Sequence, residues 1–207
     1  MAELTELRDE QLLRMMQAGD EDAFTTLYRR RQGSIYRFVL EMSGSAPLAE
    51  DVTQEVFMAL IRESRGYDPA RGSLCAYLIG MARHHALRLL KRDQTYVSAP
   101  QAEEGGREWG LAAPTTGEDP HSLMTRREAI DSVRQAILSL PEHYREAVVL
   151  CDLNEISYEE TASVLGCSVG TVRSRLHRGR ALLLQKLTGG VKVEPAREAI
   201  DGSRCLA

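Results

Sequence analysis

Residues 157–180 read SYEETASVLGCSVGTVRSRLHRGR, and their spacing predicts a helix-turn-helix. Ser157 and Glu160 form a capping box, in which a hydroxyl and a carboxylate three residues apart each satisfy an orphan backbone amide and so start a helix. Gly166 ends it. Ser168 caps a second helix after a turn of about three residues, the connection expected in a DNA-reading unit. On that second helix Val169, Val172, Leu176 and Leu183 recur at the i, i+3, i+7 spacing of one buried face. Thr171, Ser174, Arg175 and Arg178 face away from it. Ser168 to Arg180 holds four arginines and no acid, whereas Ser157 to Leu165 holds two glutamates and no base. A helix of that charge can follow phosphates while guanidinium and hydroxyl groups meet base edges in the major groove. An ordinary amphipathic pair with a solvated charged face is the plainer reading. The capping box, the turn glycine and the one-sided charge together favour DNA.

Composition sets the bounds. A chain of 207 residues with 43% hydrophobic content suffices for one or two small domains with cores of their own. A net charge of −4 argues against indiscriminate nucleic-acid binding. Residues 96–125 hold one base and five acids, so the acid excess lies in the middle of the chain. Cys75, Cys151, Cys167 and Cys205 form no CxxC pair, so neither a zinc site nor a disulfide framework is indicated. No apolar run approaches the ~20 residues of a membrane span. The start MAELTELRDEQ is acidic and polar, unlike a signal peptide. These facts lead us to expect a reducing, cytoplasmic location and no metal or other cofactor.

Outward from the motif the chain reads as helices. Asp20, Glu21 and Asp22 make an acid-rich first turn before a stripe of Phe24, Leu27, Ile35, Phe38 and Val39, which Ser43-Gly44-Ser45 breaks. Pro47 stands near the start of the next helix, which runs to Gly66 and Pro69, and Ser73 caps a fourth. From about Thr95 the periodicity collapses into a segment with three of the seven prolines and four glycines. It returns at Ser122, and Pro141 opens the helix that leads into the motif. The expected fold is all-α: a helical domain at 9–95, a flexible acidic linker at 96–121, a helix-turn-helix domain at 122–187, and a short, mobile tail at 188–207.

Two further faces stand out. On the helix 47–64, Leu48, Val52, Val56 and Leu60 share one side, leaving Asp51, Gln54, Glu55 and Met58 on the other. That acidic and apolar face suits docking on a basic helix of a partner, although a solvated face gives the same pattern. On the helix 73–94, Tyr77, Gly80, His84, Arg88 and Lys91 fall within roughly 80° of arc at 100° per residue. An aromatic followed by cations suits single-stranded nucleic acid, in which a base stacks while cations track the backbone. A half-buried Tyr77 and a basic end that complements the helix dipole explain it equally well.

AEDVTQEVFMALIRE, the segment from Arg71 to Asp93, and LPEHYREAVVLCDLNEISYEETASVLGCSVGTVRSRLHRGRALL occur in that order around an acidic linker. Together they closely resemble an extracytoplasmic-function sigma factor of the sigma-70 family, over about residues 9–187. The resemblance implies a sigma region 2-like bundle followed by a sigma region 4-like helix-turn-helix. It implies that Asp51, Gln54 and Glu55 dock on the clamp helices of the largest catalytic subunit of core RNA polymerase. It implies that Gly72, Ser73 and Leu74, with Tyr77, His84, Arg88 and Lys91, open and read the minus-ten element of promoter DNA, where a flipped base is trapped. Arg173, Ser174, Arg175, His177 and Arg178, together with the outward Thr171, fall at positions that read the minus-thirty-five element. The linker is implied to thread toward the active-site cleft, and an anti-sigma factor is an expected partner. Many members carry tryptophan at the position of Tyr77 and asparagine near His84.

Two other functions compete. A stand-alone helix-turn-helix regulator accounts for residues 141–187 but leaves the stripe on 73–94 without use. A metal enzyme built on His84 and His85 is disfavoured because adjacent helical residues diverge by about 100°. No catalytic residue is expected. Cys75 and Cys167 lie beside the two reading surfaces, where inert packing is commoner than redox sensing.

Overall fold

The computed structural model describes residues 2–63, 66–96 and 120–189. The expected linker between 97 and 119 and the tail beyond 189 lie outside the described residues. Among those described, every regular element is helical.

The first unit is built on α2 (Asp9–Gln17), α3 (Glu21–Ser43), α4 (Ala46–Glu63) and α5 (Leu74–Tyr96), preceded by a short α1 (Ala2–Glu6) that the sequence pattern did not suggest. Asp20 caps α3 by accepting from the Ala23 amide at 2.9 Å. Gly44 ends it in the left-handed region at φ 71°, donating its N–H to the Leu40 carbonyl. The expected stripe forms the centre of the bundle, with Leu27, Ile35, Phe38 and Val39 fully buried; Val52, Val56 and Leu60 of α4 meet it, and Leu48 packs at the edge. Asp9 is itself buried and is held by Arg30 and Arg31, pinning α2 to α3. Ser73 accepts from the Ala76 amide at 3.2 Å and so starts α5.

The second unit comprises α6 (Pro120–Leu138), α7 (Glu142–Val148), α8 (Tyr158–Leu165) and α9 (Val169–Leu187). Between α7 and α8 the helix loosens into a π turn over Val149–Leu153, closed by the Asn154 amide on the Val149 carbonyl. That turn drives Val149 and Leu150, both fully buried, into the core of the first unit. Ile137 and Ile156 join the same cluster. A smaller cluster of Leu140, Ala147, Val148 and Leu176 packs α7 against α9.

The two units therefore share a continuous apolar seam, which the tethered-domain reading of the sequence does not convey. Polar groups stitch it. Arg83 of α5 donates through Nε to Glu146 of α7 at 2.6 Å, and Glu146 is only 3% exposed. Arg145 donates to the carbonyls of Met42, Leu138 and Leu140, where α3 and α6 run out of internal partners. Asn154 donates to Glu41 at 3.3 Å.

Gly179 of α9 is the tightest glycine among the described residues. A Cβ there would stand 2.8 Å from Val148 Cγ2 and 3.3 Å from the Tyr144 carbonyl oxygen. Overpacking of this kind costs about 1–3 kcal/mol, more than the ~1 kcal/mol of helix propensity that alanine adds. Gly179→Ala should therefore lower the Tm of the chain by a few degrees in a thermal melt.

Burial pushes the Glu41 carboxyl up to about 7, against the opposing pull of Arg37, Asn154 and Arg134. The folded chain thus holds this proton more tightly than the unfolded one, so Glu41's contribution to stability falls as pH rises from about 4.5 to about 7 and is level above that. Glu41→Gln should flatten this slope and raise the Tm at about pH 8 relative to the parent, with little change at about pH 4.5, as melts across that range would register.

Candidate nucleic-acid interface

The helix-turn-helix forms as its residues dictate. Ser157 Oγ accepts from the Glu160 amide at 3.2 Å, and Glu160 Oε2 accepts from the Ser157 amide at 3.4 Å, closing the capping box. Gly166 ends α8 at φ 63°, and Ser168 Oγ accepts from the Thr171 amide at 3.1 Å to start α9. Val172 and Leu176 are buried, while Val169 and Leu183 are half-buried.

On the opposite side of α9, Arg173, Ser174, His177 and Arg178 are exposed, and Thr171 and Arg175 are half-buried. The Arg173 guanidinium sits 5.9 Å from the centroid of the Tyr158 ring, a cation–π contact that orients it from α8. Arg180 is different: both its Nε and a terminal nitrogen bind the Asp152 carboxylate, so its charge is spent within the protein. Tyr158 and Asp152 are contributors that periodicity alone did not single out.

The loop before α5 makes the second surface. A 3-10 turn at Pro69–Arg71, capped by Asp68 on the Ala70 amide, delivers the chain to Gly72 in a left-handed backbone with φ 144°. Tyr67 donates its hydroxyl to the Gly72 carbonyl at 3.1 Å, and its ring lies 5.5 Å from that of Tyr77. Tyr67 thus braces both the loop and the aromatic at the head of the stripe, a role invisible to a reading of α5 alone. Gly72, Ser73 and Tyr77 are half-buried, and His84 and Arg88 are exposed. Leu74 is fully buried, so its side chain serves the core and only its backbone borders the loop. Lys91 lies on α5, but its side chain is outside what the structure describes. Gly80 faces α8, with a Cβ there 3.9 Å from Val164 Cγ2.

The third surface is the outer face of α4. Asp51, Gln54 and Glu55 are exposed, as expected, beside Met58 at 45% and Ile61 at 51% exposure. A shallow groove of about 300 Å³ runs from Asp51, Gln54 and Glu55 to His85, Arg88 and Leu89 of α5. An acidic rim beside exposed methionine and isoleucine matches a partner that carries both cations and apolar side chains.

Groups suited to other chemistry do not converge. Among the described residues no cluster of histidine, cysteine, aspartate and glutamate could hold a metal. The rings of His84 and His85 are 6.1 Å apart and nearly perpendicular. Burial pushes the Cys75 and Cys151 thiols up, away from the reactive thiolate. No helix among the described residues is long and apolar enough to cross a membrane.

Comparison with known proteins matches both units. Residues 27–95 match the family "Sigma-70 region 2", and residues 130–183 match "Sigma-70, region 4". The chain is 35% identical to the RNA polymerase sigma-H factor of Pseudomonas aeruginosa over 186 residues, covering 86% of this chain and 92% of that one. It is 33% identical to the ECF RNA polymerase sigma-E factor of Escherichia coli, covering 88% and 95%. The chain belongs to the extracytoplasmic-function sigma factors of the sigma-70 family.

Against the ECF sigma factor SigE of Mycolicibacterium smegmatis, 33% identical, the alignment covers 80% of this sigma factor and 63% of the relative. Two solved structures share its fold. CnrH in complex with the cytosolic domain of CnrY superposes with a TM-score of 0.64 at 23% identity, covering 87% of this chain and 97% of that one. The sigma factor RpoE of Bartonella quintana, in complex with the anti-sigma factor NepR, gives 0.60 at 22%, covering 82% and 98%. The family regions enclose all three surfaces: α4 and α5 fall within region 2, and α7 to most of α9 within region 4.

Proposed function

We propose that this sigma factor binds core RNA polymerase and directs it to promoters, with the outer face of α4 as the docking surface. The region 2-like unit, residues 9–95, holds the minus-ten loop. The region 4-like unit, residues 122–187, holds the minus-thirty-five helix, and residues 96–121 link them. One observation supports the reading: a single chain carries an exposed acidic and apolar face on α4 and a braced loop before α5 inside the region 2 match, and a basic outer face on α9 inside the region 4 match. A regulator that acts without polymerase has no use for the α4 face or for the braced loop at 66–74.

The mechanism follows from the surfaces. Asp51, Gln54 and Glu55 engage the clamp helices of the largest polymerase subunit, with Met58 and Ile61 supplying apolar area. Gly72, Ser73 and Tyr77 border the pocket for an unstacked base of the minus-ten strand, the backbone of Leu74 fixes its floor, and His84, Arg88 and Lys91 follow the phosphates. Thr171, Arg173, Ser174, Arg175, His177 and Arg178 enter the major groove of the minus-thirty-five element, arginine being suited to the paired acceptors of guanine. The protein is an initiation factor that needs no cofactor of its own. It acts in the cytoplasm and is restrained by an anti-sigma factor.

Three measurements test this. Run-off transcription with purified core enzyme, on a template carrying the gene's own upstream region, should start at a defined site only when this sigma factor is present. Asp51→Arg should abolish most binding to core polymerase while leaving the thermal melt unchanged. Arg178→Ala should weaken use of the upstream element by about 1–3 kcal/mol and leave core binding intact.

A further inference from the structure

A side chain outside the recognition helix meets two of that helix's arginines. Tyr158 is the first residue of α8, set in place by the capping box of Ser157 and Glu160. It is half-buried and packs on the cluster of Leu140, Ala147, Val148 and Leu176, which fixes its ring. The guanidinium of Arg173 lies 5.9 Å from the centroid of that ring. Arg180, two turns further along α9, is closed off by Asp152: its Nε donates to Oδ2 at 3.0 Å and a terminal nitrogen donates to Oδ1. Asp152 above all, and the Tyr158 hydroxyl after it, hold the Arg180 proton more firmly than usual. One tyrosine thus serves one arginine with its face and another with its hydroxyl. The consequences differ. A carboxylate takes up both the charge and the donors of Arg180, whereas a ring attracts the cation of Arg173 without a carboxylate or carbonyl to occupy its N–H groups.

The geometry points to Tyr158 as a positioning residue for upstream recognition: its ring stations the Arg173 guanidinium for base reading, and so sets how sharply α9 selects one base pair of the minus-thirty-five element. The inference rests on the function proposed above and deepens it. In a helix-turn-helix the first helix crosses the DNA backbone while the second enters the major groove, so the first residue of α8 stands where the two meet. Arginine distinguishes guanine when both prongs of its fork reach the paired acceptors O6 and N7 together. A freely rotating side chain loses rotamers to do so, and each side chain immobilised on binding subtracts from affinity. A guanidinium already held over a ring has lost part of that freedom beforehand. The contact therefore adds to discrimination at one base pair. It adds little to charge-driven attraction, because the ring leaves the cation unneutralised.

The test uses the full chain with core polymerase. Run-off transcription from templates in which each base pair of the upstream element is varied in turn gives a preference profile for the parent, and Arg173→Ala identifies the positions that depend on this arginine. Tyr158→Leu keeps an apolar side chain on the Leu140 cluster but removes the ring face. It should cut the preference at those positions roughly two- to fivefold, the strength of an exposed cation–π contact, and leave the other positions as they were. Tyr158→Phe keeps the face and should keep the profile. Added to Arg173→Ala, Tyr158→Leu should cause no further loss at those positions. Should Tyr158→Leu fail to fold, a fluorinated phenylalanine in place of Tyr158 keeps the shape while draining negative charge from the ring face, and the same loss is expected. A uniform fall at every position, additive losses in the double variant, a profile indifferent to Arg173→Ala, or a fluorinated ring that behaves as the parent would overturn the assignment. The two failures are separable: a parent holoenzyme with no upstream preference sinks the function and the positioning with it, whereas a sharp parent profile that Tyr158→Leu leaves intact sinks the positioning alone.

Discussion

A carboxylate that is almost wholly buried sets the terms for the rest of the molecule. Glu146 lies on α7, inside the seam, and its cost of desolvation is met by the guanidinium of Arg83 on α5. Removing one partner of such a pair costs about 3–5 kcal/mol, although a well-packed apolar replacement of both would hold as firmly. The pair therefore contributes register more than strength: it dictates which face of α7 meets α5. Once that is fixed, the π turn after α7 points Val149 and Leu150 into the first unit, and α8 comes to rest over the loop before α5. Arg145, one residue earlier, reinforces the choice by taking carbonyls at the ends of both α3 and α6.

What the sequence discloses here is whatever is local. Ser157, Glu160, Gly166 and Ser168 act on neighbours within four residues, and all four behave as their spacing requires. The buried stripe of α3 and the exposed acids of α4 follow from periodicity alone. What stays hidden depends on distance. Arg83 and Glu146 are separated by 63 positions and Ser73 and Glu160 by 87, and no short-range pattern relates them. Gly179 reads as a weak point of a helix until Val148 and Tyr144 are seen against it. Tyr67 lies in a loop with no periodicity to flag it, yet it supports Gly72 and Tyr77. Counting charge misleads in one place: Arg180 adds to the basic total of α9 but belongs to Asp152.

The residues proposed to read DNA are supported unevenly, and the unevenness has physical meaning. The α9 side chains stand on a rigid helix, with Arg173 steadied by the Tyr158 ring, which suits recognition of an undistorted major groove. The loop proposed for the minus-ten strand is held by the Tyr67 hydroxyl on the Gly72 carbonyl, by Asp68 on the Ala70 amide and by Glu160 on the Ser73 amide. A pocket for an unstacked base must accommodate a strand that is not yet in place, which suits a loop of backbone and small residues at Gly72 and Ser73 whose rigidity comes from outside it. Leu74 shows the division clearly: its side chain is committed to the core while the amide of the preceding Ser73 donates to Glu160 of α8.

Under the proposed function, joining the two units matters to affinity as well as to packing. Once one promoter element is engaged, the other is met at high effective concentration, so two modest surfaces together read a promoter tightly without either having to be strongly basic in a chain whose net charge is −4.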